Sequence, residues 1–223
     1  MILAFDTSTP WLGIALAHGR DLLFHVVEYT KANHSLLLMQ YLELLEVRFA
    51  LRKHLAGVVI GLGPGSFTGV KVGAILAKGL AYALQIPLGG FSTLEVLASS
   101  ARRLKMDQFE TVIPVIFHRK GEIFWSEFRR DVSPLLSSLQ VGSPEDFLAR
   151  YGGRRDVFIV TPWEDLWKFF VEAGFSCADP FLAIPDPLEL ILLFEERGKG
   201  STENVFTLLP FYGSRVFERE SAS

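Results

Sequence analysis

Residues 57–73 read Gly-Val-Val-Ile-Gly-Leu-Gly-Pro-Gly-Ser-Phe-Thr-Gly-Val-Lys-Val-Gly. An apolar, β-branched run (Val58, Val59, Ile60) feeds a loop holding Gly61, Gly63, Pro64 and Gly65. Ser66 and Thr68 follow as cap-type residues, and a helix of small side chains begins near Gly69. A strand, a glycine loop and a helix start in that order present free backbone N–H groups at the positive end of a helix dipole. Such a loop cradles an anion or lets a second stretch of backbone come close. Two familiar patterns are excluded. The dinucleotide spacing G-x-G-x-x-G would need glycine at position 66 or 68, where Ser66 and Thr68 stand. No glycine is followed five residues later by Gly-Lys-Ser/Thr, as a P-loop requires.

The 223 residues suffice for one large domain or two small ones, and 49% hydrophobic against 21% charged residues supplies a sizeable core. A net charge of −3 argues against a chain that binds nucleic acid by itself, which would carry a basic excess. Cys177 is the single cysteine, so an internal disulfide framework and a multi-cysteine zinc cluster are excluded, and it reads as a small buried apolar residue. The chain opens on the strand-like Ile2-Leu3-Ala4-Phe5 without a basic leader, and Lys71 and Lys78 interrupt its most hydrophobic stretch. The expectation is a soluble, cytoplasmic protein with no membrane contact.

Periodicity repeats along the chain. Strands are expected over 2–6, 11–17 and 21–28, the last two joined by the turn His18-Gly19-Arg20. A helix over 35–51, a strand over 58–61 and a helix over 69–85 follow. A second hairpin is expected over 111–118 and 122–129 around Arg119-Lys120-Gly121, then a helix over 144–151, a strand over 157–161 and a helix over 162–173. A hairpin followed by helix, strand and helix thus occurs twice, with a polar connector near 101–110. The pattern predicts two α/β domains of related topology, 1–102 and 103–223, with a helix near 186–198 packing back on the first.

Asp6-Thr7-Ser8-Thr9 closes the first strand before Pro10. An acid and hydroxyls at the C-terminal edge of a strand are where a metal–phosphate is met, and equally where side chains satisfy the N–H groups of a turn. The candidate cleft is therefore Asp6, Thr7, Ser8, Gly63, Gly65, Ser66, Thr68 and Gly69, and both readings stand at the level of residues.

Taken together, Ile-Leu-Ala-Phe-Asp-Thr-Ser-Thr at the start, His34-Ser35 opening a leucine-rich helix and the glycine segment 63–73 resemble the TsaB (YeaZ) family. Ser92-Thr93-Leu94 and Pro210-Phe-Tyr212 are similar to further family signatures. The resemblance implies a two-domain actin-like ATPase fold, as in Hsp70 and sugar kinases. It implies a role in forming threonylcarbamoyladenosine beside the anticodon of tRNA, as a partner subunit of TsaD, the transferase, with the ATPase TsaE joining them. The transferase paralogue carries a metal-binding His-x-x-x-His on its first-domain helix; here His34 is followed four residues later by Leu38, and the pair is absent. Phe117-His118-Arg119 stands where relatives have Asp-Ala-Arg, and Leu62 replaces a basic residue before Gly-Pro-Gly. These departures point to a non-catalytic subunit, with no metal or cofactor of its own and with ATP and metal belonging to TsaD and TsaE in the complex. tRNA would then be a substrate of the complex only.

The helix expected over 35–51 carries more apolar residues than one packing stripe of about 100° needs. Leu37, Leu38, Tyr41, Leu42, Leu44 and Leu45 span an arc of about 160° at 100° per residue, and Leu36, Met39 and Val47 fall outside it. In the helix from Gly69, Gly73, Ala77 and Ala81 form a small-residue ridge that permits close helix approach. His34, Leu37, Leu38, Tyr41, Leu45, Gly73, Ala77 and Ala81 are the candidate partner interface, for TsaD or, without it, for a second copy of the chain. Two further classes stay open: a small-molecule kinase or ATPase using Asp6 and the 61–69 loop, and a peptidase, which lacks any motif in the sequence.

Overall fold

The structure, a computed structural model, describes residues 1–30, 33–104, 108–133, 139–197 and 208–210. The first strand, β1 (Ile2–Asp6), is buried along almost its whole length because it is central, flanked by β2 (Trp11–His18) and β4 (Gly57–Gly61). β2 runs antiparallel to β3 (Asp21–Tyr29), and their register closes on His18 opposite Asp21. That leaves a two-residue turn, in which Gly19 takes a positive φ of 58° that glycine adopts without strain. β5 (Leu88–Phe91) lies parallel to β4, and the order is β3-β2-β1-β4-β5.

The second sheet repeats this arrangement. β6 (Thr111–Arg119) is central, antiparallel to β7 (Glu122–Trp125) and parallel to β10 (Val157–Val160). β9 (Gln140–Gly142) pairs antiparallel with β7, and β11 (Ser176–Cys177) parallel with β10. These five strands, in the order β9-β7-β6-β10-β11, match the order and sense of the first sheet, and a sixth short strand adds to β6. The molecule is thus a two-domain α/β protein of duplicated, actin-like topology.

Helices α1 (His34–Phe49), α2 (Leu51–His54) and α3 (Phe67–Leu84) belong to the first half. α1 stops two residues before the expected end. Ala50 turns left-handed (φ 48°) and donates its N–H to Glu46, which closes the helix and starts α2. α3 opens at Phe67, capped by Ser66, and ends where Gln85 adopts a left-handed φ of 52°. By length and composition α3 would suit a bilayer, but its small-residue side is packed on its own sheet. In the second half α5 (Pro144–Tyr151) begins with a Ser143/Asp146 capping box, and α6 spans Glu164–Glu172.

The two halves exchange their last helices. α4 (Thr93–Ser100) follows the first sheet, yet Leu94, Leu97 and Ala98 pack with Val112, Ile116 and Phe124 of the second. α7 (Pro187–Glu196) follows the second sheet and sets Leu190, Ile191, Leu193 and Phe194 against Ala4, Ala15 and Val59 of the first. A charged latch fixes α7. Its N-cap Asp186 accepts from His25 Nε2 at 2.8 Å and from Arg103 Nη1 at 2.5 Å, and Arg103 also reaches Glu189. Burial would raise the Asp186 carboxyl, but the His25 and Leu188 hydrogen bonds and the Arg103 charge hold it down at about 2.

One expected strand breaks. Residues 122–129 form not one strand but two, β7 and β8 (Phe128–Arg129), because the chain bends at Ser126-Glu127 and β8 pairs back onto β6. The bend turns the Glu127 carboxylate inward, where it accepts from Tyr151 Oη at 2.6 Å and Arg150 Nη2 at 3.3 Å. Of the C-terminal signature, Pro210 is described and residues 211–212 lie outside the described residues.

Candidate functional site

The glycine segment and the end of β1 meet, as their residue types suggest, but the glycines serve close approach. Gly65 and Gly69 both have ordinary negative φ; among described glycines of the loop only Gly63 is left-handed, at 81°. A Cβ on Gly65 would stand 2.1 Å from the Ser8 carbonyl oxygen, and one on Gly69 2.0 Å from that of Thr7. Gly61 leaves room for Asp6 itself, whose Oδ2 would be 1.8 Å from an added Cβ. The contact is sealed by hydrogen bonds: Ser66 N–H donates to Ser8 O at 2.7 Å, and Thr7 Oγ1 donates to Gly69 O at 2.7 Å. Ser66 Oγ caps α3 by accepting the Gly69 N–H.

Asp6 lies under this seal, fully buried together with Thr7 and Ser8. Its Oδ1 accepts from the Ser8 N–H (2.7 Å) and Ser8 Oγ (2.6 Å), and its Oδ2 accepts from Thr93 Oγ1 (2.9 Å). Burial raises the Asp6 carboxyl above its ordinary value, against the Ser8 and Thr93 hydrogen bonds that favour the ionised form. A metal–phosphate would need this carboxylate within reach and its lone pairs free. Asp6 is fully buried and already accepts three hydrogen bonds, so it does not fit such a group. Of the two sequence readings, satisfaction of the turn describes the geometry. Thr93 belongs to the site as well, and its signal in the sequence is the Ser92-Thr93 cap pattern opening a helix after β5.

Above the seal a cleft of about 490 Å³ runs between the domains, lined on one side by Ser8, Thr9, His34, Ser66 and Thr68 and on the other by Phe117, His118 and Trp163. Ser66 and Thr68 are exposed to it, while Gly63, Gly69 and the Asp6 turn are buried. His34 starts α1 and shares a hydrogen bond of 2.8 Å from Nε2 to the Thr9 carbonyl, tying the helix to the turn. Burial and the neighbouring Arg119 charge push the His118 imidazole below its ordinary value, which favours the neutral ring that lies tilted on Phe124. Among the described residues no group of three or more His, Cys, Asp or Glu is placed to hold a metal ion.

The candidate interface residues sort differently from the expectation. Leu38 and Leu45 are completely buried, in one core with Leu42, Leu3, Phe5 and Ile60. Leu37 and Tyr41 are half-buried against that core, and the Tyr41 hydroxyl donates to Glu28 at 2.7 Å. Gly73, Ala77 and Ala81 are buried as well, and Gly73 is pressed against Thr7 and Phe5. These six side chains and the Gly73 backbone therefore face their own domain. Most of the arc of about 160° is the inward face, where Leu38, Leu42 and Leu45 recur at the three- and four-residue steps of a stripe on the sheet, but Leu44 within it is 48% exposed. The outward side mixes apolar with polar residues. On α1, Leu36 (59% exposed), Met39, Leu44 and Val47 (87%) are exposed among Gln40 and Glu43, and on the adjacent α3, Phe67, Ile75 (71%) and Tyr82 are exposed, with Lys71 over the Phe67 ring.

Comparisons with known proteins agree with this architecture. Residues 26–148, more than half of the chain, match the family model described as TsaD, tRNA N6-adenosine threonylcarbamoyltransferase. The tRNA threonylcarbamoyladenosine biosynthesis protein TsaB of Bacillus subtilis is 39% identical over 55% of this chain and 52% of its own length. That of Haemophilus influenzae is 29% identical over 95% of this chain and 92% of its own. The chain thus spans about half the length of the first relative and nearly all of the second. The structure of YeaZ from Pseudomonas aeruginosa superposes with a TM-score of 0.76 at 28% identity, over 95% of this chain and 99% of that one.

Proposed function

The chain belongs to the TsaB (YeaZ) family, and on that premise we propose that it is a non-catalytic partner subunit of the TsaD transferase in threonylcarbamoyladenosine modification of tRNA. The observation that carries the proposal is the apolar face left open on two adjacent helices. Leu36, Met39, Leu44 and Val47 are exposed on α1, and Phe67, Ile75 and Tyr82 on α3, which packs beside it. Large apolar side chains gathered on one exposed side of a molecule mark a protein contact. A paralogue of the same fold would present equivalent helices, so we assign TsaD, or a second copy of this chain in its absence, as the partner.

The sealed carboxylate supports the non-catalytic part. In a kinase or ATPase of this topology the acid at the end of the first strand would have to meet a metal–phosphate, and Asp6 is enclosed by Ser8, Thr93 and Gly61. ATP and metal are accordingly assigned to TsaD and TsaE, tRNA to the complex as its substrate, and the setting to the cytoplasm. Reconstitution tests the proposal. TsaD and TsaE with this chain should form threonylcarbamoyladenosine on tRNA, detected after digestion to nucleosides, at a rate far above the same mixture without it. Equal product with and without the chain contradicts the partner role, and ATP hydrolysis by the isolated chain contradicts the non-catalytic one.

A further inference from the structure

Beside the cleft over Asp6, and sharing Pro10 and Trp163 with it, a second cavity of about 460 Å³ opens at the domain junction. Its walls are aromatic. Trp11 from β2 meets Tyr29 from the end of β3 edge-on, with ring centroids 5.1 Å apart, and Phe181 stands 6.3 Å from it at 84°. Trp163, just before α6, lines the cavity as well. Phe181 is 70% exposed and Tyr29 52% exposed, with Leu182 open beside them, so the rim is apolar as well.

The charged residues lining this cavity are Glu164 and Asp165, both in the first turn of α6. Glu164 is paired with Lys168 at 2.6 Å. Asp165 makes no hydrogen bond or ion pair among the described residues, although the Lys168 ammonium acts on it through space, and no lysine or arginine lines the cavity. Faces of indole and phenol rings carry negative electrostatic potential, and an unpaired carboxylate at their edge adds to it. Such a site repels phosphates and attracts a cation. A metal ion would lack oxygen ligands here beyond the carboxylates, whereas a planar guanidinium stacks on indole and still reaches a carboxylate with its N–H groups.

We propose that this cavity is the receptor for an arginine side chain of a partner protein, stacked on the indole rings that line it and paired with Asp165. The apolar rim selects a protein over a free amino acid, because Phe181, Leu182 and Tyr29 would be covered by residues flanking the arginine. The site is separate from the open face of α1 and α3, and stands or falls independently of the tRNA reading.

The test follows the Trp11 and Trp163 indole N–H resonances of the whole chain by NMR, identified through Trp11→Phe and Trp163→Phe. N-acetyl-arginine amide should shift both resonances saturably. The citrulline amide, equal in shape but uncharged, and the lysine amide should bind at least about tenfold more weakly, because one lacks the charge and the other the stacking plane. N-acetyl-Leu-Arg-Leu amide should bind at least about fivefold more tightly than the single residue through the apolar rim. Asp165→Asn should weaken the arginine probes about threefold to tenfold, and Phe181→Ala should remove the advantage of the peptide. Both residues are exposed, so the fold is retained, checked by the dispersion of the remaining resonances. Absence of saturable shifts, or citrulline or lysine binding as tightly as arginine, overturns the guanidinium site. A peptide no tighter than the single residue overturns the protein partner.

Discussion

Replacing Gly69 by alanine should destabilise the protein, while the same change ten residues on, at Gly79, should stabilise it. Both glycines lie in α3, so the gain in helix propensity, about 1 kcal/mol, is shared. At Gly79 an added Cβ meets nothing within 4 Å and the gain stands alone. At Gly69 the Cβ would sit 2.0 Å from the Thr7 carbonyl oxygen, about 1 Å inside any tolerable contact. The obstacle is backbone at the end of a fully buried strand, so α3 must retreat from β1. Forced overpacking of this kind costs about 1–3 kcal/mol. The retreat also stretches the Thr7 Oγ1 to Gly69 O bond, now 2.7 Å and buried, worth about 1 kcal/mol. After the helix gain, the net loss is about 2 kcal/mol. For a chain of this length each kcal/mol moves Tm by about 2–4 °C. Thermal unfolding should therefore show Gly69→Ala about 4–8 °C below the parent and Gly79→Ala about 2–4 °C above it. Equal Tm values for the two variants would refute the view that the glycine segment exists for close packing on the Thr7-Ser8 turn.

Other outcomes follow from the same geometry. The Asp186 carboxyl is held at about 2, below its unfolded value, so its latch contributes stability above about pH 4 that is lost as pH falls towards 2, and Asp186→Asn should flatten that limb in acid-denaturation curves. Cys177 is half-buried rather than buried as expected, and that partial burial pushes its thiol up to about 12, so a disulfide reagent at pH 8 should label the native protein more slowly than the unfolded chain. Asp6→Asn should leave threonylcarbamoyladenosine formation by the reconstituted mixture within a few-fold of the parent, whereas a carboxylate in catalytic contact would cost about 10²–10⁴-fold.

Much of the fold was legible because its signals are local. Period-two alternation and the His18-Gly19-Arg20 turn place β2 and β3 within a residue of their ends, and Ser143 with Asp146 marks the start of α5. The break at Ser126-Glu127 was not legible, since it depends on Tyr151 and Arg150, more than twenty residues away, receiving one carboxylate. The candidate site was found in place but not in kind. Asp6 and the glycines do meet, yet the sequence pattern of an anion cradle and that of backbone close packing are the same, and only the distances separate them. The open face was hidden for a different reason. With leucine, methionine or valine on both sides of α1, hydrophobicity cannot say which side meets the sheet, and the inward set proved to be Leu38, Leu42 and Leu45.

The central claim, that the chain works through the open face of α1 and α3, is tested most directly by the affinity of TsaD for Val47→Glu and Ile75→Glu. Both side chains are largely exposed, at 87% and 71%, so each variant should fold with stability within about 0.5 kcal/mol of the parent. At a contact, each would bury an unpaired carboxylate, costing about 2–5 kcal/mol of association. Calorimetric titration against TsaD should then show Kd weakened by at least about thirtyfold in both variants with Tm unchanged. Parent-like affinity in both would place the partner elsewhere and contradict the account.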